Sequence, residues 1–414
     1  MKRLLVVFLD AFRYDYMSEE KTPFLYSMSR RGFSLPLKTL LGYSDAIDTS
    51  IFTSVYPQDH GHWIMHKYSP ETSPFKIFKL FSFIDYIPCN FVVRGCKFVL
   101  SATICRLLAK ARGYSELSTH NIPFSVISSF DWTSKKSLLG SHPFSDFPTI
   151  FDILRENGVK YSYINAANLS LRTRYSSSVK VRKKLAQTLR GLAQDTRLTF
   201  VYLHHLDHFA HRYKINSSRF LSELRHMDKT VEGIIRESKE KLGKELNVLI
   251  MSDHGMVDTT KFIDLRTLTN DNKFGKDYLL FLDSTMIHIW YLNQERKDWI
   301  RGRIEDLRCG RFLSEIEREE LKVNFNNRYY GDEVYLLEPG YSIFPNFMSW
   351  LKPYSMHAYH PDDKTQLGIV ILDKVKLDWQ TINIAQIVDL APTILDTLGV
   401  DIPAHFKGKS ILRH

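Results

Sequence analysis

Three short apolar runs, each ending in acidic or histidine residues, constrain the fold of this chain more than any other feature of its sequence. The runs are Leu4–Leu9, Leu198–Leu203 and Val248–Met251. Continuous apolar runs of this length are typical of central parallel strands that are buried on both faces of a sheet. Ligands of open α/β sheets bind outside the carboxyl ends of the strands. We therefore expect the polar residues that follow the runs to meet at one sheet edge; these are Asp10, His204, His205, Asp207, Ser252, Asp253 and His254.

Helices are predicted between and after these strands. Thr22–Arg31 begins with Thr-Pro, which favours a helix start, and Gly32 follows it as a stop. The other predicted elements are the helices Phe147–Asn157, Lys180–Arg190, Arg219–Lys241 and Ile384–Leu398, and a strand at Gly368–Leu372. This alternation predicts an α/β fold that is doubly wound, with a mostly parallel central sheet flanked by helices.

Two stretches break the alternation and are predicted to form an inserted cap. They are residues 62–145, rich in aromatic and basic side chains, and residues 271–350. The second stretch contains a predicted strand, a charged helix and a run marked by glycine and proline; these are Met286–Leu292, Glu295–Leu307 and Gly331–Phe347. The catalytic core is accordingly assigned to residues 1–61, 146–270 and 351–414 of the 414-residue chain.

Composition and charge restrict the class of protein. A hydrophobic content of 44% suffices for a sizeable core, and the net charge of +10 favours an anionic partner. No segment reaches the roughly 20 apolar residues that a membrane-spanning helix needs.

The four cysteines, Cys89, Cys96, Cys105 and Cys309, form no Cys-x-x-Cys pair, so we expect reduced thiols. The first apolar run ends at an acid without a cleavage site, so a buried strand is favoured over a signal peptide. A cytoplasmic location is therefore predicted, with attachment to a membrane surface as the alternative.

The spacing of acids and histidines predicts a metal centre. Asp207 and His211 lie four residues apart, on one face of a helical segment, and Asp253 and His254 are adjacent after a buried strand. Zinc binds histidine nitrogen and carboxylate oxygen, and catalytic sites keep one position open for water or substrate. Two ions about 3.5–4 Å apart can clamp the oxygens of a phosphoryl group. The alternative is a set of ordinary polar residues at strand ends.

The order of the motifs resembles the alkaline phosphatase superfamily, and within it the type I phosphodiesterase/nucleotide pyrophosphatase family. The segments that carry the resemblance are LDAFRYDY, TPFLYSMSRRG, SIFTSVYPQDHG, LDHFAHRY, MSDHGM, MHAYHPDD and VDLAPTILDTLGVDIPAHFKGKSIL. They run from the start of the chain to its end and leave out the two insertions. The resemblance implies an alkaline phosphatase-like core and a phosphoric ester hydrolase.

The resemblance also implies two divalent metal ions. One ion is assigned to Asp10, Ser44, Asp253 and His254, and the other to Asp207, His211 and His357. Ser44 is the implied nucleophile, preferred over Thr49, Ser50 and Thr53, which are assigned to the helix that continues after it. Histidine-rich ligands favour Zn²⁺, although Mn²⁺ and Fe²⁺ suit the same set.

The sequence departs from the family pattern at several positions. Alanines, Ala11 and Ala358, stand where the family has glycines, and Ile47 stands where nucleotide pyrophosphatases carry an Asn that helps hold a phosphate oxygen. Backbone N–H groups at the helix start after Ser44 are an alternative donor. Other polar residues are candidates for supporting the ligands, with a solvated loop position as the favoured interpretation of each; they are Tyr43, Asp45, Asp48, His205, His208 and His360. Arg13 and Asp15 are expected to pair structurally.

Residues 75–112 combine basic and apolar side chains, and no acid occurs between Asp85 and Glu116. Three interpretations stay open: a surface that contacts a membrane, a pocket for a lipid-linked substrate, or a cap helix that packs on the core.

The sequence thus predicts a metal-dependent hydrolase that cleaves a phosphodiester or pyrophosphate through a Ser44 phosphoryl-enzyme. A phospho-group transferase and a phosphomonoesterase are alternatives on the same scaffold. A non-catalytic anion- or membrane-binding protein is disfavoured by the full set of ligand-type residues, and nucleic acid is not an expected partner. Ser44-Asp45-Ala46-Ile47-Asp48 lacks the Pro and Arg of a sulfatase motif.

Overall fold

The computed structural model describes residues 2–87, 91–144, 146–169, 177–373 and 383–413. These residues form two compact units. Unit 1 comprises Met1–Tyr56, Phe147–Asp258 and Pro353–His414, and unit 2 comprises Pro57–Asp146 and Thr259–Lys352. The stretches predicted as core thus fall mainly in unit 1 and those predicted as insertions in unit 2. That unit 2 acts as a cap stays a prediction.

The strands, in chain order, are β1 Leu4–Leu9, β2 Phe33–Lys38, β3 His66–Tyr68, β4 Phe130–Trp132, β5 Tyr161–Asn165, β6 Leu198–Leu203, β7 Asn247–Met251, β8 Val257–Asp258, β9 Lys261–Ile263, β10 Tyr278–Leu282, β11 Met286–Tyr291, β12 Gly310–Phe312, β13 Glu333–Leu337, β14 Tyr341–Ile343, β15 Ser355–Met356, β16 Gly368–Leu372 and β17 Ala385–Gln386.

The helices are α1 Pro23–Arg31, α2 Ser44–Thr53, α3 Pro57–His60, α4 Phe91–Arg112, α5 Phe124–Ile127, α6 Ile150–Glu156, α7 Ser178–Arg190, α8 His205–Arg212, α9 Ser218–Leu242, α10 Arg266–Thr269, α11 Lys297–Glu305, α12 Glu315–Glu320 and α13 Leu390–Leu398. Short 3₁₀ segments lie at Tyr14–Tyr16, Lys76–Tyr86, Ala166–Asn168, Gln294–Arg296, Lys364–Gln366, Ile387–Asp389 and Ile411–Arg413.

A seven-stranded sheet in the order β17-β2-β16-β7-β1-β6-β5 forms the centre of unit 1. Strands β5, β6, β1 and β7 run parallel, whereas β16 runs antiparallel to both of its neighbours. All six residues of β1 are buried, as the continuous apolar run requires. The predicted fold, a mostly parallel sheet flanked by helices, is confirmed.

The two faces of this sheet are covered by different helices. Leu5, Val7 and Leu9 of β1 belong to a core cluster with residues of α1, α7 and α9. On the opposite face, Phe200 of β6 contacts the ring of Phe52 in α2, with centroids 5.4 Å apart. Since side chains alternate along a strand, the even-numbered residues of β1 share the face on which α2 packs.

One predicted helix is partly wrong. Ile384–Leu398 was expected to be a single helix, but Ala385–Gln386 forms β17 and pairs with β2. Helix α13 begins only at Leu390, after a 3₁₀ turn in which Asp389 accepts a hydrogen bond from the Gln386 backbone N–H. Backbone pairing with β2 therefore takes precedence over the helical spacing of the apolar residues. The helix ends at Leu398 as predicted, with Gly399 at φ 65°.

Unit 2 is built on a four-stranded antiparallel sheet in the order β10-β11-β13-β12. Its core includes the fully buried rings of Trp63, Trp290, Tyr278 and Tyr335. The predicted helix Glu295–Leu307 is shorter than expected, since a 3₁₀ segment precedes α11. The predicted run Gly331–Phe347 contains β13 and β14.

Cys96, Cys105 and Cys309 are free thiols, as expected, and Cys89 lies outside the described residues. Within the described ranges, no helix has the length and apolar character needed to cross a bilayer.

Candidate metal centre

The ends of β1, β6 and β7 bring the predicted acids and histidines together in unit 1. Asp10 follows β1, Asp207 lies in the first turn of α8 after β6, and Asp253 and His254 follow β7. His357 directly follows β15, which pairs with β8. The parallel register of β1 with β6 and β7 places the first three of these ends at one edge of the sheet.

Asp10, Asp253 and His254 form one compact group. His254 Nε2 lies 3.2 Å from Asp253 Oδ2 and 3.6 Å from Asp10 Oδ1. Asp253 Oδ1 accepts a hydrogen bond of 3.2 Å from the Ala11 backbone N–H. All three side chains are buried, and their ligand atoms lie within 4.8 Å of one another.

Asp207, His254 and His357 form a second group of the same compactness. Asp207 Oδ1 lies 3.8 Å from His357 Nε2 and 3.2 Å from His211 Nε2. The structure thus brings His211 to Asp207, as predicted. It also places His254 within range of both groups, whereas the sequence assigns it to one.

Hydrogen bonds to the backbone orient two of the imidazoles. His254 Nδ1 lies 2.9 Å from the Gly255 carbonyl, and His211 Nδ1 lies 3.0 Å from the Ser355 carbonyl. A carbonyl only accepts, so each Nδ1 carries a hydrogen and Nε2 is the ring atom that would bind a metal ion. Such bonds fix the tautomer of metal-binding histidines in proteins.

The acids of the centre repel one another. Burial raises the pKa of Asp10 well above its ordinary value, and the carboxylates of Asp253 and Asp207 raise it further. Burial likewise raises the pKa of Asp253. In the described part of the chain, no lysine or arginine forms an ion pair with these three acids. Buried carboxylates without a cationic side chain fit a pair of divalent cations.

The pKa values of Asp207 and His357 depend on burial and on the neighbouring histidines. Burial raises the pKa of Asp207, but His211, His357 and His254 together hold it below its ordinary value. Burial lowers the pKa of His357 well below its usual range, and neighbouring His254 lowers it further. A neutral imidazole is the form that binds a metal ion.

Ser44 is the first residue of α2, with Tyr43 at the N-cap. Tyr43 lies edge-on to His357, with ring centroids 5.3 Å apart, and Asp48, one turn after Ser44, raises the pKa of Asp253. The start of α2 is therefore adjacent to the group that contains His357. Burial, followed by Asp45, raises the pKa of Asp48 to about 7.

Two other hydroxyls of α2 donate hydrogen bonds within the helix itself. Thr49 donates to the Asp45 carbonyl and Thr53 to the Thr49 carbonyl, each at 2.7 Å. Ile47 is buried, and its backbone N–H donates to the Tyr43 carbonyl, as does that of Ala46. These two N–H groups are therefore engaged and do not replace the Asn of the family pattern.

The sequence prediction missed Tyr202. Its hydroxyl donates a hydrogen bond to Asp10 Oδ2. Burial raises the pKa of Tyr202 well above its ordinary value, and Asp10 raises it further, so the hydroxyl keeps its proton. Strand alternation carries the missed signal: Tyr202 lies opposite Phe8, and Phe8 shares a face with Asp10.

Asp258 was missed as well. Its Oδ1 accepts hydrogen bonds from the Ser355 hydroxyl at 2.7 Å and from the Ile215 backbone at 2.9 Å. Because the Ser355 carbonyl holds His211, Asp258 positions that histidine indirectly. Nothing in the sequence indicates this role, since it depends on the pairing of β8 with β15.

The glycine of the Ser-Asp-His-Gly segment is required by space. A Cβ atom at Gly255 would lie 2.1 Å from the Thr365 carbonyl oxygen and 2.6 Å from Arg13 Cγ. Arg13 also forms the predicted pair with Asp15, at 2.5 Å, and donates to the Met256 carbonyl at 2.7 Å. This packing holds the loop that carries His254.

The expectation of a solvated loop position is wrong for Asp45 and His205, which are buried. His205 begins α8 and its ring lies 4.4 Å from that of His204. His208 is partly buried in the same helix. His360 is partly exposed, 3.7 Å from Asp362.

The model of the type I phosphodiesterase/nucleotide pyrophosphatase family matches residues 4–349. No curated protein sequence matches the chain.

Solved structures share the fold. Murine ectonucleotide pyrophosphatase/phosphodiesterase 5 is 16% identical, with a TM-score of 0.67 over 97% of this chain and 96% of that one. An inactive variant of the murine protein in complex with AMP is 15% identical, with the same TM-score and coverage. The human protein is 15% identical, with a TM-score of 0.66 over 99% and 97% of the two chains. At these identities the likeness shows the fold alone.

Proposed function

Because this chain belongs to the type I phosphodiesterase/nucleotide pyrophosphatase family of the alkaline phosphatase superfamily, and is a phosphoric ester hydrolase, we propose that it cleaves a phosphodiester or pyrophosphate through a Ser44 phosphoryl-enzyme. The observation that carries the proposal is the convergence of two carboxylate–imidazole groups beside the first residue of α2.

In this proposal Asp10, Ser44, Asp253 and His254 hold one divalent ion, and Asp207, His211 and His357 hold the other. When bound, two such ions supply a lower pKa for the serine hydroxyl and positive charge beside the phosphoryl oxygens. Zn²⁺ is the proposed metal because the ligands combine imidazoles with carboxylates, and Mn²⁺ and Fe²⁺ are the alternatives.

The reaction has two displacements at phosphorus. The Ser44 hydroxyl releases its proton to solvent, and Ser44 Oγ forms a bond to phosphorus while the bond from phosphorus to the departing oxygen breaks. The departing alkoxide or phosphate takes up a proton from solvent. A water oxygen then bonds to the same phosphorus, the bond to Ser44 Oγ breaks, and that oxygen takes up a proton. Ser44 suits this role because Tyr43, the residue before it, contacts His357 of the second group, and Asp48, one turn after it, raises the pKa of Asp253 in the first group.

The proposal does not include specificity for nucleotides. Ile47 is buried where the nucleotide pyrophosphatases place an Asn, so that phosphate contact is lost. An alcohol in place of water as the second acceptor gives a transferase, and a monoester substrate gives a phosphomonoesterase.

The test is a set of chromogenic phosphodiesters, phosphomonoesters and sulfate esters, assayed with Zn²⁺ and with Mn²⁺. We expect diester cleavage, its loss in Ser44→Ala with metal content retained, and partial activity in Ser44→Thr. Ser50→Ala, in the same helix, is the matched control and should stay active. Rapid acid quench followed by peptide mass analysis should find phosphate on Ser44.

Unchanged turnover in Ser44→Ala would refute the nucleophile. A rate on monoesters above that on diesters would favour the phosphomonoesterase, and a product joined to an added alcohol would favour the transferase.

Every residue of the proposed reaction lies in unit 1. Residues 75–112 belong to unit 2. The membrane or lipid-linked contact proposed for them is therefore independent of the proposed reaction. The cytoplasmic location stays a prediction.

A further inference from the structure

Unit 2 exposes large apolar side chains on two adjoining elements of its chain, the 3₁₀ segment Lys76–Tyr86 and helix α4. Leu80 is 74% exposed, Tyr86 82% and Leu107 63%. We call the large exposed apolar residues of these elements the amphipathic surface; they are Ile77, Leu80, Phe83, Tyr86, Phe98, Val99 and Leu107. Exposed apolar groups concentrated in this way mark an interaction site.

One side of helix α4 is buried or partly buried, and the other side is exposed. Ser101 and Cys105 are buried and Leu100, Ile104 and Leu108 are partly buried, while Phe98, Val99 and Leu107 are exposed. A helix that packs on a core normally buries its large apolar residues. The interpretation of 75–112 as a cap helix that packs on the core therefore fits the partly buried leucines and isoleucine of α4, but it does not account for Phe98, Val99 and Leu107, which are exposed.

Specific contacts fix this orientation. Lys97 Nζ lies 2.7 Å from Asp85 Oδ1 and 4.5 Å from the centre of the Phe124 ring. Asp85 Oδ2 accepts a hydrogen bond of 2.8 Å from the Ser125 backbone N–H. Helix α4 is thus tied to the 3₁₀ segment and to α5 through Lys97 and Asp85, whose side chains are only 17% and 12% exposed, whereas the residues of the amphipathic surface are exposed.

Residues 75–112 contain several basic residues and one acid, Asp85. Asp85 is engaged by Lys97, and no further acid occurs before Glu116. Exposed basic residues accompany the amphipathic surface on both elements; they are Lys76, Lys79, Arg106, Lys110 and Arg112. Apolar side chains interleaved with solvated cations match the interface of a bilayer that contains anionic lipids.

We propose that the amphipathic surface binds peripherally to anionic lipid bilayers, with its apolar side chains in the headgroup region and Arg106 and Lys110 at the lipid phosphates. This interaction is independent of the proposed reaction, because it uses no residue of the metal centre and needs no substrate.

The test is co-sedimentation of the full chain with vesicles of phosphatidylcholine, with and without phosphatidylglycerol. We expect binding to the anionic vesicles that weakens with added salt, and little binding to phosphatidylcholine alone. Arg106→Glu with Lys110→Glu should lower binding about tenfold or more. Leu80→Ser with Phe83→Ser should lower it as well.

Two controls match these variants. Arg225 and Lys229 are exposed, equally spaced basic residues on α9, and Ile316 is an exposed apolar residue on α12. Arg225→Glu with Lys229→Glu, and Ile316→Ser, should bind vesicles as the wild type does. Circular dichroism checks that every variant is folded.

The proposal is overturned if the wild type does not sediment with anionic vesicles, or if the α4 charge variant binds as well as the wild type. It is also overturned if sedimentation velocity without lipid shows self-association that Leu80→Ser with Phe83→Ser abolishes, since a second copy of the chain then occupies the surface.

Discussion

The imidazole rings of His254 and His357 lie face to face, with centroids 3.8 Å apart and planes inclined by 6°. His254 contacts the carboxylates of Asp10 and Asp253, and His357 contacts that of Asp207. The stack therefore joins the two proposed ligand sets at their imidazoles.

This arrangement predicts how metal is lost. We expect His254→Ala and His357→Ala each to retain about one of two ions, and the double variant to retain none, because each ring is assigned to a different ion. Activity should fall more than about 100-fold in either single variant, since even groups that only support ligands are typically worth 10–100-fold. Metal analysis after dialysis measures the stoichiometry, with His142→Ala on an exposed loop as control. Loss of both ions in His254→Ala alone would show that His254 binds both.

The hydroxyl of Tyr202 should increase the affinity of Asp10 and its neighbours for a metal ion. Tyr202→Phe removes the hydroxyl that donates to Asp10 Oδ2, so the carboxylate loses its orientation. We expect metal affinity to fall by about 10–100-fold with the fold intact. Chelator competition measures the affinity. Tyr161→Phe, on β5, is the control because its hydroxyl bonds to Arg155 instead; equal affinity in both variants would contradict the role.

The two alanines that replace family glycines should be strained. Ala11 and Ala358 have φ of 61° and 64°, in the left-handed region. That conformation costs an alanine about 1–2 kcal/mol, and the extra freedom of an unfolded glycine costs about 0.5–1 kcal/mol.

We therefore expect Ala11→Gly and Ala358→Gly each to raise the free energy of unfolding by about 0.5–1 kcal/mol, measured by urea denaturation. Ala391→Gly, within α13, should instead lower it by about 1 kcal/mol. Destabilisation by all three substitutions would refute the strain.

Stability should depend on pH through His288, which is fully buried in unit 2. Burial lowers the pKa of His288 from 6.5 to about 4. Between these values the unfolded chain binds a proton that the folded chain does not, so the free energy of unfolding falls as the pH falls. The slope for one proton is about 1.4 kcal/mol per pH unit.

His288→Asn removes this titration and keeps a donor for the Tyr330 carbonyl, which His288 Nδ1 contacts at 2.8 Å. We expect a shallower dependence of unfolding free energy on pH between 6.5 and about 4, measured by urea denaturation at several pH values. His142→Asn is the matched control. Identical slopes in His288→Asn and the wild type would contradict the prediction.

The sequence by itself determined the family and four strands of the central sheet, namely β1, β6, β7 and β16. The runs Leu4–Leu9 and Leu198–Leu203 are apolar throughout because both faces of their strands are covered, and their bounds are those predicted. Asp10, Asp207 and Asp253 could be placed together because parallel strands end at one edge. These conclusions depend on local patterns, which a sequence displays directly.

Only the tertiary structure decided the contacts between distant segments. The hydroxyl of Tyr202 on Asp10, the carboxylate of Asp258 under Ser355 and the stack of His254 on His357 join residues that are far apart in the chain. The β17 segment was mistaken for helix because its pairing with β2 is likewise non-local. Helical spacing also left open which side of α4 is buried, because that depends on the anchor between Lys97 and Asp85.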